Sequence, residues 1–206
     1  FFMSYLSRYF KKYDTIEINW KEGFEGILKA HFWLKNEFDS YLGNIKKGGG
    51  ALQEHSHGIH LMLVTLSALK INYKKLNFKS NLIYKKKSNL KYDVYSNLSM
   101  ISKGSLINYE TDLKTFPSQK NITISNGLYK ANWICNFKNN VDSVNIFYKN
   151  KIRKNKIFKK TRSSEFENEI KEILSINTLA KYNKSFLNPI YAIETMKTIR
   201  KAINER

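Results

Sequence analysis

Apolar residues in the first 47 positions recur at three- and four-residue steps, the spacing that places them on one face of an α-helix. Two sets show this spacing: Phe2, Leu6, Tyr9, Phe10 and Tyr13, and then Phe24, Ile27, Leu28, His31, Phe32, Leu34 and Phe38. Three glycines, Gly48 to Gly50, end the pattern and allow the chain to turn. We therefore predict an N-terminal helical extension over residues 1–50.

The middle of the chain changes from a helical period to a period of two. Ile59 to Leu69 is a compact apolar segment that predicts a helix. After it come segments rich in β-branched and aromatic residues: Leu90–Leu98, Ser105–Leu113, Ile122–Ser125, Trp133–Phe137 and Val144–Tyr148. Short polar breaks separate them, which favours antiparallel pairing. The pattern predicts an α+β core over residues 51–158, a helix followed by an antiparallel or mixed sheet.

The last part of the chain returns to helical spacing. Ser164 is a candidate N-cap for a helix with acidic residues in its first turns. The apolar face of that helix would be Phe166, Ile170, Ile173 and Leu174. Pro189 is typical of the first turn of a final helix. We predict a C-terminal helical extension over residues 159–206.

Composition changes this picture mainly through charge. The 206 residues contain 36 Lys+Arg and 17 Asp+Glu, a formal net charge of +19. Such an excess indicates an anionic neighbour, either RNA, an anionic membrane surface or acidic protein. Abundant Lys, Asn, Ile, Tyr and Phe also indicate A/T-rich coding, which would raise the lysine content without selection for nucleic-acid binding.

Cysteine content and hydropathy bear on the cellular compartment and on membrane insertion. One cysteine, Cys135, excludes an internal disulfide and is consistent with a reducing compartment. The longest apolar run, Ile59 to Leu69, is too short to span a bilayer. The first residues lack an apolar stretch followed by a small-residue cleavage site, so we predict no signal peptide.

Few residues suggest chemistry. His55, His57 and His60 form H-x-H-x-x-H, to which Glu54 could add a carboxylate, and this is either a zinc-binding segment or a polar helix start. Cys135 lies in an apolar segment and is expected to be a buried small hydrophobe. Asp93, Asp112 and Asp142 are too far apart in sequence to indicate a carboxylate pair. We predict no catalytic residue, no cofactor and no metal for this chain.

The strongest electrostatic feature is a run in which eight of fourteen residues are basic. It could be a solvated loop, or an arm that docks on acidic protein, lipid head groups or RNA. The candidate docking residues are Lys149, Lys151, Arg153, Lys154, Lys156, Lys159, Lys160 and Arg162.

The middle segment resembles the 30-kDa (NuoC-type) subunit of respiratory complex I, NADH:ubiquinone oxidoreductase. Tyr73 to Leu76 is similar to that family's F-K-x-L, and Lys91 to Leu98 to its R-F-E-V-V-Y-N-L. Leu106 to Thr111 is similar to its next strand, and Ala131 to Trp133 to its A-A-N-W. Val141 to Tyr148 is similar to its Y-D-M-F-G-I-x-F. The E-R-E and H-P-D-L motifs of the family are absent.

The resemblance implies a cofactor-free structural subunit in the matrix arm of mitochondrial complex I. Its partners would be other complex I subunits, chiefly the quinone-site (49-kDa-type) subunit, at the matrix side of the inner membrane. The alternative is a mitochondrial ribosomal protein that binds rRNA through the basic run. Since no catalytic motif is found, a free enzyme ranks behind both.

Overall fold

One large sheet organises the chain. The computed structural model describes residues 6, 8–10, 15–24, 36–102, 104–136, 138–177, 185 and 188–204. The eight strands are β1 (Glu17–Gly23), β2 (Asn77–Lys87), β3 (Leu90–Ser102), β4 (Ser105–Asp112), β5 (Gln119–Ser125), β6 (Tyr129–Asn136), β7 (Val141–Tyr148) and β8 (Lys151–Lys159). They pair in the order β2-β3-β4-β1-β5-β6-β7-β8. The α+β class and the mixed sheet are confirmed.

The first strand lies in the middle of the sheet, where the sequence pattern had predicted only helix. β1 pairs parallel to β4 and antiparallel to β5. Its sequence, EINWKEG, alternates exposed and buried positions, the period of a strand with one covered face. Because the seven residues contain only two large apolar side chains, Ile18 and Trp20, this short alternation was hidden between the two longer helical patterns.

Every other neighbouring pair is antiparallel, as the short breaks between segments predicted. Alternation along β4 shows how each strand divides its side chains between the two faces. Ile107 and Tyr109 are buried beneath helices, whereas Leu106 on the other face is 39% exposed. Among the described residues, helices cover one face of the sheet and no helix covers the other, which we call the open face.

Four helices are described: α1 (Ala51–Glu54), α2 (Ser56–Ala68), α3 (Arg162–Ser175) and α4 (Pro189–Asn204). The predicted helix at Ile59 to Leu69 corresponds to α2, and Pro189 does begin the last helix. α2 packs against α4, and α4 also packs against β2. Burial of Ile59, Met62 and Leu66 between α2 and the sheet forms the centre of the core.

The three glycines enter α1 by a tight turn. Gly48 and Gly50 have positive φ angles of 99° and 108°, which glycine adopts at no steric cost. Beyond the turn, the buried Asp93 carboxylate accepts a hydrogen bond from the Leu52 backbone N–H at 2.8 Å. Ser96 donates to the same oxygen at 2.7 Å. The start of α1 is thus capped by a side chain from β3.

The terminal segments match the predicted helical extensions only in part. Leu6, Arg8 and Tyr9 are helical, and Leu6 is buried in the core. The second helix predicted for the extension falls mainly on residues 25–35, which lie outside the described residues. At the other end, residues 151–159 form an edge strand where a loop or arm was predicted. No described helix is long and apolar enough to cross a membrane.

α3 departs from expectation in its environment. It begins at Arg162, two residues before the predicted cap Ser164. Its predicted apolar face does not contact the core: the four side chains are each more than half exposed, with Phe166 55%, Ile170 55%, Ile173 56% and Leu174 78%. The spacing found the helix correctly, but spacing cannot say what covers its face.

Candidate functional site

A line of polar side chains crosses the covered face of the sheet where β1 ends. The pairing register places Thr111 beside Glu22, Glu22 beside Lys120, Lys120 beside Cys135, and Cys135 beside Asp142. We call these five residues the polar row. They come from five adjacent strands but lie next to one another, because directly paired residues of neighbouring strands are only about 5 Å apart.

Glu22 is the most enclosed charge of the polar row, with 7% of its surface exposed. Its Oε1 accepts a hydrogen bond from Trp20 Nε1 at 2.6 Å and forms an ion pair with Lys120 Nζ at 3.0 Å. Lys120 Nζ also lies 5.7 Å from the centre of the Trp20 ring. A buried carboxylate needs such partners, since an unpaired charge in the interior is costly.

Asp142 forms a second charged pair at the other end of the polar row. It is 6% exposed and accepts a hydrogen bond from Trp133 Nε1 at 3.0 Å. Lys160 Nζ lies 3.0 Å from its other oxygen, as an ion pair rather than an aligned hydrogen bond. Each carboxylate of the row is thus held by one indole N–H and one lysine.

Cys135 lies between the two pairs and is buried, as the sequence predicted. Burial raises the pKa of its thiol to about 12, and the nearby Asp142 carboxylate adds to the effect. The thiol is therefore protonated at neutral pH and is a poor nucleophile.

The junction between α1 and α2 lies over this end of the sheet and holds His55. Tyr109 Oη donates to the His55 carbonyl at 3.0 Å, and His55 Nδ1 makes a short contact with Thr111 Oγ1. Burial lowers the pKa of His55, while Glu22 raises it and Lys120 lowers it. The ring is therefore favoured in its neutral form, and its Nε2 has no hydrogen-bond partner among the described residues.

A cleft of about 410 Å³ opens between this junction and the polar row. Glu22, Lys120 and Asp142 line its floor, and Lys160, Glu54 and the exposed His57 line its sides. Phe24 and Trp133 add aromatic surface. We refer to this cavity as the cleft.

The glycine at position 58 sets how closely α2 approaches the polar row. A Cβ atom there would lie 2.6 Å from Tyr109 Oη and closer still to Glu22 Oε1. Any larger residue would push the helix away from the sheet or displace the Glu22 carboxylate. Gly58 therefore belongs to the architecture of the cleft, although no sequence motif marked it.

The histidines of H-x-H-x-x-H separate in the structure. His55 and His57 both line the cleft, but His60 packs against Tyr191 of α4 with 6.1 Å between ring centres. Within the described part of the chain, no three His, Cys, Asp or Glu side chains converge as a metal site. The helix-start interpretation of the motif is the one that the geometry supports.

The predicted docking residues form an edge rather than an arm. Lys151, Arg153, Lys154, Lys156 and Lys159 lie on β8, the last strand of the sheet, and all are exposed. Lys149 precedes that strand, and Arg153 lies over the Tyr148 ring at 5.4 Å. Lys160 departs from the group because it pairs with Asp142 in the cleft. Docking by the exposed residues of this edge stays a prediction.

Of the cleft residues, the sequence singled out His55, His57 and Glu54 as a possible zinc-binding segment and Lys160 as a docking residue, but it did not predict that they meet in a cleft. Glu22, Lys120 and Asp142 are 98 and 22 positions apart along the chain. They become neighbours only through strand register, which sequence pattern does not fix. One sequence feature could have indicated these residues. Each is a charged residue at a strand position where the alternation of buried and exposed residues predicts a buried side chain.

Comparisons with known proteins concern the fold. No family model and no curated protein matches the sequence. A solved dehydrogenase (MviM) from Clostridium difficile has a TM-score of 0.59 at 12% identity, over 100% of this chain and 58% of that one. The UDP-N-acetylglucosamine 3-dehydrogenase GnnA from Acidithiobacillus ferrooxidans has a TM-score of 0.55 at 12% identity, over 97% and 55%. The chain thus spans little more than half the length of each.

These likenesses overturn the resemblance to the complex I subunit. The fold is similar to part of two dehydrogenases, so the expected structural subunit of complex I and the alternative ribosomal protein are both wrong. The misleading signal was an order of short strands and turns, which many antiparallel sheets share. Tyr73 to Lys75, which was matched to that family's F-K-x-L, is a turn of 3₁₀ helix. The expected mitochondrial location and partners derived from the same resemblance.

Proposed function

We propose that this chain forms the substrate-binding part of a dehydrogenase that acts on a hydroxyl group of a sugar-type ligand, and that the ligand binds in the cleft. The observation that carries the proposal is the polar row, which places two carboxylate–lysine pairs at the floor of one cavity. The fold likeness to two dehydrogenases supports the reaction class.

The chemistry of the cleft suits a polyhydroxylated ligand. Each sugar hydroxyl both donates and accepts hydrogen bonds, and each carboxylate–lysine pair offers an acceptor beside a donor. Trp133 and Phe24 offer apolar surface for the C–H face of a sugar ring. Two lysines also favour a ligand that carries phosphate or carboxylate groups. One of the two similar structures is described as acting on UDP-N-acetylglucosamine.

Oxidation of an alcohol removes a proton from oxygen and a hydride from carbon. His57 is the group best placed for the proton, because it lines the cleft and is exposed there. His55 lies beneath it, and its Nε2 is closed off from solvent. His55 is therefore a positioning residue that holds the junction to Tyr109 and Thr111.

A nicotinamide dinucleotide does not fit the glycine turn that precedes α1. The sequence has no G-x-G-x-x-G turn. Its one glycine cluster faces the protein itself: a Cβ at Gly50 would collide with Asp93, which already caps α1. The place that a phosphate would take at this helix start is filled. In this proposal the hydride passes to a nicotinamide-type acceptor that is held outside the described residues of this chain.

Isothermal titration of the 206-residue chain tests the proposal, with UDP-N-acetylglucosamine, N-acetylglucosamine and UDP as separate ligands. We expect saturable binding of at least one ligand that contains the sugar. Lys120→Met and Asp142→Asn should each weaken it by about tenfold or more, since each removes a charged hydrogen-bonding group from the floor of the cleft. His57→Gln should leave affinity within about threefold, because exposed hydrogen bonds contribute little to binding.

The matched control is Lys130→Met, which removes the same charge from β6 on the open face of the sheet. It should leave affinity unchanged. The proposal fails if no sugar ligand binds at millimolar concentration, or if Lys130→Met weakens binding as much as Lys120→Met. Binding of UDP alone, with equal affinity, would indicate a phosphate site instead of a sugar site.

A further inference from the structure

A second surface of the molecule, away from the cleft, exposes apolar side chains on a helix. The four apolar residues of α3, from Phe166 to Leu174, fall at three- and four-residue steps, and each is more than half exposed. Scattered exposed apolar residues are ordinary, but a continuous stripe along one helix marks an interaction surface. We call it the α3 stripe.

An apolar groove of about 650 Å³ lies along α4. Ile45, Ile199 and Ile203 line it, together with Ile193 and Met196, which are 50% and 56% exposed. An apolar groove along a helix suits the apolar side of another helix, as in complexes where an amphipathic helix lies in a hydrophobic groove. We call it the α4 groove.

The end of α3 lies close to the chain that leads into α4. Glu172 of α3 accepts a hydrogen bond from Ser185 Oγ at 2.9 Å, and α4 begins four residues after Ser185, at Pro189. The four apolar side chains of α3 are each more than half exposed, so the α3 stripe does not lie in the α4 groove of its own copy.

Their charges are complementary. The segment of α3, RSSEFENEIKEILS, has four glutamates against one arginine and one lysine. The rim of the α4 groove is basic, with Arg200 on α4 and the exposed Lys46 and Lys47 next to Ile45. Lys197 at the rim pairs with Glu194 at 2.9 Å, so it adds less to the net charge.

We infer that this chain forms a symmetric homodimer in which the α3 stripe of each copy lies in the α4 groove of the other. A second copy is the occupant that supplies both an apolar acidic helix and an apolar basic groove. Reciprocal docking about a two-fold axis satisfies both contacts and closes the assembly, whereas a one-way contact would extend into a filament. The dimer does not depend on the sugar ligand of the cleft.

Sedimentation and multi-angle light scattering of the full chain test the dimer at about 100 µM, within the range where modest interfaces associate. Leu174→Glu on the stripe and Met196→Glu in the groove should each raise the dimer dissociation constant at least about tenfold, because each places a charge in an apolar contact. Raising NaCl to about 0.5 M should also weaken the dimer, since salt screens the complementary charges.

Ile101→Glu is the matched control, because Ile101 is 61% exposed on the open face of the sheet, away from both surfaces. It should leave the dimer intact. Oxidation of a mixture of Leu174→Cys and Met196→Cys copies should give a disulfide between two copies. The native Cys135 is buried and should not react. A wild-type monomer at 100 µM, a dimer unaffected by both glutamate variants, or loss of the dimer with Ile101→Glu alone would each overturn the inference.

Discussion

The two ends of the covered sheet face have opposite character. At one end the paired residues are all apolar and buried: Met100, Ile107, Ile18, Ile124, Ala131 and Ile146. Four residues further along the same strands, about 13 Å away at 3.3 Å per residue, lies the polar row. Glu22 and Asp142 are only 7% and 6% exposed, so burial alone would favour apolar residues at both ends. The stability of the fold therefore does not explain why this end carries buried charges.

The largest loss of stability is expected for a large-to-small substitution at the apolar end. Ile124 is fully buried, so Ile124→Ala should destabilise the fold by about 2–5 kcal/mol through lost apolar contacts and a residual cavity. No second substitution nearby should restore that loss. Urea unfolding followed by circular dichroism measures it, and a loss below about 1 kcal/mol would contradict the assignment of the core.

At the polar end, single substitutions should be costly and a double substitution should not. Glu22→Gln leaves Lys120 without its carboxylate, and we expect a loss of about 1–3 kcal/mol. Combined with Lys120→Met, most of that loss should be recovered, because a buried ion pair is often replaceable by neutral residues. The same unfolding assay decides this, and additive losses in the double variant would count against a coupled pair.

Gly58→Ala probes the distance between α2 and the polar row. The new Cβ meets Tyr109 Oη at 2.6 Å and the Glu22 carboxylate, so we expect a destabilisation of about 1–3 kcal/mol from overpacking. Ala68→Gly, at the last residue of α2, serves as a control for helix propensity and should cost about 1 kcal/mol. If Gly58→Ala were neutral, the close approach of the helix would be ruled out.

His55 lies at the polar end, and it should make the contribution of that end to folding stability depend on pH. Since burial lowers the pKa of His55 in the folded protein, the unfolded chain takes up its proton first as pH falls below about 6.5. Stability from this group is therefore complete above that pH and falls below it, by at most about 1.4 kcal/mol per pH unit. His55→Asn should flatten the dependence between pH 7 and 5, whereas Ile124→Ala should shift the whole curve without changing its slope.

The smallest effect is expected on the open face. Ile101 is 61% exposed, so Ile101→Ala should change stability by no more than about 0.5 kcal/mol. A larger loss would mean that this face is covered by something other than solvent.

Local pattern predicted most of the elements, because period and turn residues are local properties. α2, α3 and α4 follow from helical spacing, five of the strands follow from alternation, and the glycine turn follows from Gly48 to Gly50, whereas β1, β2 and β8 were not predicted. β1 escaped because seven residues between two helix-like patterns give a weak signal. β8 escaped because all of its residues except the half-buried Phe158 are exposed, so it has no apolar alternation to find.

The site was less accessible to sequence reasoning than the fold. His55 and His57 stood out as a motif, but their neighbours depend on which strands pair and in which register. Glu22 reaches Lys120 only because β1 inserts between β4 and β5, a crossover that no local pattern encodes. The complex I resemblance began after β1 and so omitted the strand that builds the centre of the cleft.

The central claim is that the polar row is the floor of a ligand-binding cleft. Two indole N–H groups report on it directly, because Trp20 donates to Glu22 and Trp133 donates to Asp142. In ¹H–¹⁵N spectra of the full chain titrated with UDP-N-acetylglucosamine, both indole signals should shift together and saturate. Unchanged signals for Trp20 and Trp133 at millimolar ligand, in a sample with an otherwise folded spectrum, would contradict the account.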